Sequence, residues 1–343
     1  IGDLSGRFAF ELYDTFGFPI DLTILIAREK GLLVDFEGFQ KEMNLQKEIS
    51  RNAAVVKADD WIDLSPGSGD VFKGYEKNEL SIRILRYRKV QAKGKEYYQM
   101  VFDQTPFYAE SGGQIGDSGV LISNESEIVV FNTQKENNVI IHYSSNLPKD
   151  PYLSFVARVD NTKRLNVTYN HTATHLMHAA LQNLLGQHVE QRGSLVTDQY
   201  LRFDFSHYSQ VTGKEIGAIE QEVNDKIASN SQVRISEMPL KQAKKLGAMA
   251  LFGEKYGENV RVVTIDNDYS IELCGGTHVN KLKQIGSFKI ISESSVAAGI
   301  RRVEAVTSEI ALQKIENQKI KRNKLVNDLR DACNISSCAL DLS

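Results

Sequence analysis

The sequence predicts an α+β protein: an N-terminal helical segment, a β-barrel, a mixed α+β core carrying two histidine clusters, and a C-terminal helix. Three observations carry that reading. Apolar residues recur at helical spacing through residue 58, short alternating strands follow to residue 160, and helix-like and strand-like stretches then alternate to residue 308. The expected divisions are therefore 1–58, 59–160, 161–308 and a last helix within 309–343.

In the first segment Ala9, Leu12 and Tyr13, then Leu22, Leu25 and Ile26, share helical faces, and Gly17-Phe18-Pro19 breaks the run between them. Asp21-Leu22-Thr23 opens a second helix, and residues 36–51 form a third, strongly charged one. No chemistry is visible there. From Trp61 the pattern changes to strands at 80–85, 97–102, 120–122, 128–131, 139–142 and 155–159, separated by glycine and polar turns at barrel-like intervals. Among them lies Tyr108-Ala109-Glu110-Ser111-Gly112-Gly113-Gln114-Ile115-Gly116-Asp117-Ser118-Gly119. This run lacks the Lys-Ser/Thr of a phosphate loop and opens no helix. It reads as a loop that lets backbone approach a neighbouring site, or as a plain barrel turn.

The third segment is the informative one. Asn170-His171-Thr172-Ala173-Thr174-His175 runs into an apolar helix that Asn170 can cap and Gly186 can end. His171 and His175 then lie one turn apart on one face. Cys274-Gly275-Gly276-Thr277-His278 follows a strand-like 269–273, and its paired glycines allow a turn tight enough to aim Cys274 and His278 at one point. Three imidazoles and a thiolate make a tetrahedral set for zinc. The competing reading is a group of buried histidines bonded to backbone, with Cys274 a small core residue. His178 lies on the same stripe but about 10 Å along the axis from His171, too far to share one ion with it. Position 172 is threonine, which excludes the H-E-x-x-H protease pattern, and no P-C-x-x-C is present to make a zinc deaminase.

Around these clusters, 187–196 and 201–205 read as a hairpin turning at Thr197-Asp198, and 213–230 as an amphipathic helix with Ile216, Ile219, Val223 and Ile227 inward. Later strands are expected at 260–265, 269–273, 288–292 and 303–306. Residues 309–329 form a charged helix, read as a solvated linker, the start of a coiled coil or a basic tRNA-facing surface.

The composition is that of an ordinary soluble domain, 41% hydrophobic and 25% charged. No apolar run is long enough to span a membrane, and the first residues are not a signal peptide. Chain numbering opens at Ile1 rather than methionine, so the native N-terminus is expected elsewhere. Three cysteines, one in a ligand-like setting, favour a reducing cytoplasm over a disulfide scaffold. A net charge of −3 excludes a globally basic nucleic-acid binder but not local basic patches.

Several stretches resemble the alanyl-tRNA synthetase family. Phe8-Ala9-Phe10-Glu11-Leu12-Tyr13-Asp14-Thr15-Phe16-Gly17-Phe18-Pro19 is similar to the end of its helical tRNA-recognition region, and Ala109-Glu110-Ser111-Gly112-Gly113-Gln114 to its editing-domain glycine motif. Residues 170–175, 193–196, 247–255, 272–278 and 299–305 resemble its editing core, shared with free-standing editing proteins and more distantly with threonyl-tRNA synthetase. The resemblance implies an editing deacylase that hydrolyses serine or glycine mischarged onto the 3′ end of alanine tRNA. It implies zinc held by His171, His175, Cys274 and His278, with Gln191 at a pocket position that handles substrate. A synthetic pocket sized for alanine rejects glycine or serine by only about 1–3 kcal/mol, roughly 10–200-fold, so a second, hydrolytic site is needed. In the family the ATP-using aminoacylation core lies upstream and an oligomerisation domain downstream, neither with a counterpart here. The partners implied are alanine tRNA and the rest of the synthetase chain. Two alternatives share part of the signature: a tRNA-binding module with structural zinc, and a free-standing trans-editing protein, against which residues 1–58 count.

Overall fold

The computed structural model describes residues 2–53, 56–92, 94–123, 127–250, 257–266 and 269–332. The chain divides into two units, residues 1–62 with 87–99, and residues 63–86 with 100–343.

The first unit opens with β1 (Gly2–Leu4), α1 (Gly6–Asp14), α2 (Ile20–Glu29), β2 (Leu32–Val34) and α3 (Phe36–Ala53). Ser5 caps α1 by accepting from the Phe8 amide at 3.3 Å, and β1 pairs in parallel with β2. Phe39 of α3 is buried and gathers Phe10, Tyr13 and Phe36 at centroid distances of 6.4, 5.8 and 5.9 Å. The expected break falls where Gly17 takes φ 64°, and α2 starts one residue earlier than expected, at Ile20. β3 (Val56–Ala58) pairs antiparallel with residues 90–92, and β4 (Ile62–Asp63) follows it.

The six expected barrel strands all form, most of them longer than the apolar runs suggested: β5 (Glu79–Ala92), β6 (Lys95–Phe102), β7 (Gly119–Ile122), β8 (Glu127–Glu136), β9 (Val139–Ser144) and β10 (Ser154–Val159). Their order is β10-β7-β8-β9-β6-β5, and β10 closes the barrel by pairing with β5 as well as β7. In the second unit Ile82, Ile84, Met100, Phe102, Leu121, Val130 and Phe155 fill the interior.

The mixed core follows as α4 (Asn161–Leu185), β11 (Gln191–Val196), β12 (Leu201–Ser206), α5 (Gly213–Ser229), β13 (Val233–Pro239), α6 (Leu240–Lys245), β14 (Asn259–Ile265), β15 (Ser270–Leu273), β16 (Phe288–Ala297), β17 (Ile300–Thr307) and α7 (Ser308–Ala332). Two antiparallel sheets, ordered β11-β12-β17-β16 and β13-β14-β15, flank the helices. Leu176, Met177, Ala180 and Leu181 of α4 meet Phe203 and Phe205 of β12, Ile219, Val223 and Ile227 of α5, and Val263 and Ile265 of β14 in one apolar cluster. Each fully buried large side chain of this cluster contributes about 1.5–3 kcal/mol, and Cys274 packs against its edge. A reciprocal cap between Thr212 and Glu215 starts α5, and Asn230 ends it in the left-handed region at φ 55°.

Three expectations need correction. The histidine helix does not begin at Asn170: α4 starts at Asn161, with Asp160 as the cap accepting from the Lys163 amide at 3.1 Å. Asn170 instead sits inside the helix, its amide donating to Thr197 O at 2.8 Å and its carbonyl accepting from Thr307 Oγ1 at 2.7 Å. Gly186 does end the helix, at φ 114°. Residues 187–190 are not strand, because the chain turns there, the Val189 amide returning to Gly186 O. β13 and α6 were not foreseen at all. The 247–255 motif falls partly on residues 251–256, which lie outside the described residues.

Candidate metal centre and cavity

The site is built on α4 because that helix is anchored at its start. Arg164, a buried residue of its first turn, holds Asp117 with Nε 2.9 Å from both carboxylate oxygens and gives its other nitrogens to Gly74 O and Pro106 O, each at 2.9 Å. Asp117 also accepts from the Tyr108 amide at 2.6 Å, so one ion pair ties the glycine loop to the histidine helix. Removing one partner of such a buried pair costs about 3–5 kcal/mol.

The loop then reaches the site itself. At Gly113, φ is 81°, and a Cβ would stand 2.6 Å from Ser194 O. Only glycine lets the loop lie against β11, where the Ile115 amide donates to Val196 O at 3.1 Å and the Val196 amide to Gly113 O at 2.7 Å. This delivers Gln114, fully buried, to His171: Gln114 Oε1 lies 2.7 Å from His171 Nδ1 and accepts from the Thr277 amide at 2.9 Å. Gly276 is equally constrained, since a Cβ there would stand 2.0 Å from His171 Cε1.

The four expected ligands converge. One donor atom from each of His171, His175, Cys274 and His278 lies within 4.8 Å of every other. Cys274 Sγ is 3.4 Å from His171 Nε2 and 3.3 Å from His278 Nε2. Four ligands tetrahedral at 2.0–2.3 Å from a metal stand about 3.3–3.8 Å apart, so the two sulfur–nitrogen distances fit a bound ion, while the set as a whole spreads to 4.8 Å. Two of the rings are held from behind by hydrogen bonds, and the third faces a carboxylate without bonding to it. His171 Nδ1 faces Gln114, His278 Nδ1 lies 3.2 Å from Thr172 Oγ1, and His175 Nδ1 lies 3.3 Å from Glu272 Oε2. Such outer partners fix ring orientation and the nitrogen left for the metal.

The electrostatics suit the same end. Burial pushes His171 down to about 3, with His175 adding to the shift, and burial likewise lowers His175 and His278. All three are therefore neutral near pH 7, the form that ligates metal. Burial would raise the Glu272 carboxyl, but His175, His178 and the Ser270 hydroxyl outweigh it and hold it at about 2. Arg261 steadies the cysteine turn by donating to Cys274 O and Gly276 O, both at 2.8 Å, while its guanidinium lies 4.3 Å from the Tyr75 ring centre. Tyr75 in turn donates to Gly275 O.

Above the cluster opens a cavity of about 250 Å³, lined among others by Ser111, Thr174, His178, Gln191, Ser194 and Glu272. That is room for a small acyl group. Gln191, on the first residue of β11, stands on this wall. Gln114, Thr172 and Glu272 stood in motifs that the sequence reading quoted, but it gave none of them a place in the site. The glycine run alone hinted at Gln114, as a place where backbone could approach a site.

Comparison with known proteins finds two family matches and several close relatives. A family described as tRNA synthetases class II (A) matches residues 2–154, and one described as threonyl and alanyl tRNA synthetase second additional domain matches residues 260–304. An alanine–tRNA ligase of Cytophaga hutchinsonii is 50% identical over 340 residues, 99% of this chain and 39% of that protein. Those of Christiangramia forsetii and Parabacteroides distasonis are 52% and 50% identical over 92% and 96% of the chain, and 36% and 37% of their own lengths. The chain thus spans less than two-fifths of the relatives it matches. Half-identical to alanine–tRNA ligases over nearly its whole length, and carrying the second additional domain around Cys274 and His278, the chain belongs to the alanyl-tRNA synthetase family as a part of its longer chain.

Proposed function

We propose that this chain is the editing part of an alanine–tRNA ligase, hydrolysing serine or glycine esters at the 3′ end of mischarged alanine tRNA. The observation that carries the reading is a cavity with room for a small acyl group, walled by three of the four converging metal ligands, His171, His175 and Cys274. Zinc is the metal, because one thiolate and three neutral imidazoles are its preferred donor set. When bound, it supplies a fixed positive charge beneath the cavity.

Four protein ligands complete a tetrahedral ion, which gives zinc the task of shaping the cavity floor and leaves substrate positioning to side chains. Gln191 offers an amide donor and acceptor to the serine hydroxyl or the ester, and Ser111 and Ser194 line the same wall. A polar pocket of this kind favours serine, because an analogue lacking the hydroxyl leaves the amide unpaired.

In this reading residues 1–58 end the tRNA-recognition region, 59–160 and 161–308 form the editing domain, and 309–343 lead towards further parts of the synthetase. The longer protein charges alanine tRNA using ATP in the cytoplasm. Among the described residues no helix is long and apolar enough to cross a membrane. The completed ligand set also favours a second reading, a tRNA-binding module whose zinc is purely structural.

Hydrolysis of serine-charged alanine tRNA separates the two. The deacylase reading expects release of serine well above the spontaneous rate, little release of alanine, and a several-fold slower rate for Gln191→Ala, about 1 kcal/mol or more of lost hydrogen bonding. Binding of the charged tRNA without hydrolysis would leave the module reading in its place.

A further inference from the structure

Ester hydrolysis gains about 10²–10⁴-fold when a positioned side chain takes the proton of the attacking water. The four ligands would be occupied by the metal, so that group is sought elsewhere on the cavity wall. His178 is buried on α4, one turn beyond His175, and lines the cavity. Its Nδ1 lies 3.3 Å from Glu272 Oε1, and the other oxygen of that carboxylate lies 3.3 Å from His175 Nδ1. Ser270 Oγ donates to Oε1 at 3.1 Å and fixes the carboxylate between the two rings. A proton on Nδ1, facing the carboxylate, leaves the lone pair on Nε2. That nitrogen is buried and has no hydrogen-bond partner among the described residues. Buried polar atoms without partners are rare, and one at a cavity wall points to a ligand that completes it.

We propose that His178 is a catalytic residue of this site, its Nε2 taking the proton from the water that attacks the ester. The proposal rests on the deacylase reading. As the water oxygen bonds to the carbonyl carbon, one of its O–H bonds breaks and the proton passes to Nε2. When the tetrahedral adduct collapses, the bond from carbon to the ribose oxygen breaks, and that oxygen takes the proton from Nε2. Water and ester become acid and alcohol, nothing is oxidised or reduced, and His178 returns to its neutral state. Glu272 aims the ring and balances its transient positive charge, as the orienting carboxylate does for a histidine base elsewhere.

His178 also packs 5.0 Å from the Phe203 ring, so loss of packing must be told apart from loss of the base. Hydrolysis of serine-charged alanine tRNA, zinc content and thermal unfolding are measured for the wild-type chain, His178→Ala and His178→Phe. Both variants should lose about 100-fold or more in kcat with KM nearly unchanged, keeping zinc and the melting transition. Added imidazole should restore His178→Ala, whose vacated space admits it, and not His178→Phe. Rates near wild type, a change in KM alone, loss of zinc together with activity, or no rescue by imidazole would each overturn the assignment. An inactive wild-type chain would instead sink the deacylase reading, and the assignment with it.

Discussion

The barrel and the mixed core both bury histidine, and they use it in opposite ways. His142 on β9 has Nε2 2.8 Å from Thr105 Oγ1, Nδ1 3.2 Å from Met100 O, and its ring stacked 3.8 Å from Phe102. Both nitrogens are satisfied by neutral neighbours, and nothing remains for a ligand. His171 is as deeply enclosed, yet only Nδ1 is engaged by a fixed partner, Gln114, while Nε2 turns to Cys274. Burial lowers both histidines to about 3, so protonation does not distinguish them. The difference lies in where the second nitrogen points. A buried, neutral histidine is common to a packed core and a metal centre, and convergence on a shared partner marks the second.

The sharpest way to break that contrast is Cys274→Ala, which removes the point of convergence. Deacylation should fall well over tenfold, more than about 1.4 kcal/mol in barrier. The melting transition should remain, because Cys274 only packs against the edge of the apolar cluster of α4, α5, β12 and β14, whose buried members all stay in place. Calorimetry beside the tRNA assay checks both, and a collapsed transition would return zinc to a purely structural role.

A smaller effect sharpens the comparison. Gln114→Ala leaves all four ligands in place but frees the His171 ring and unpairs the Thr277 amide. Competition with a chelator should show zinc affinity lowered by about 10–100-fold, the usual consequence of losing an outer partner. Unchanged affinity would make Gln114 a loop anchor only.

The contrast also explains what the sequence could reveal. Each half of the metal cluster is a local pair, His171 with His175 on a helix and Cys274 with His278 across a turn, so four-residue spacing exposed both. Gln114 stands 57 residues from His171 and 163 from Thr277, and no periodicity encodes those contacts. The start of α4 was misplaced for a related reason. Its first turns bury Arg164 and Thr168, polar residues whose burial depends on distant Asp117 and Thr277, so the apolar stripe seemed to begin later. β13 escaped notice because its apolar–polar alternation, Val233-Arg234-Ile235-Ser236, is short and breaks at Glu237-Met238.

X-ray absorption at the zinc edge, on protein purified without chelators, tests the central claim most directly. The account predicts about one zinc per chain with one sulfur near 2.3 Å and nitrogens at about 2.0–2.1 Å. Zinc bound without sulfur, or metal-free protein that hydrolyses serine-charged alanine tRNA at full rate, would contradict it.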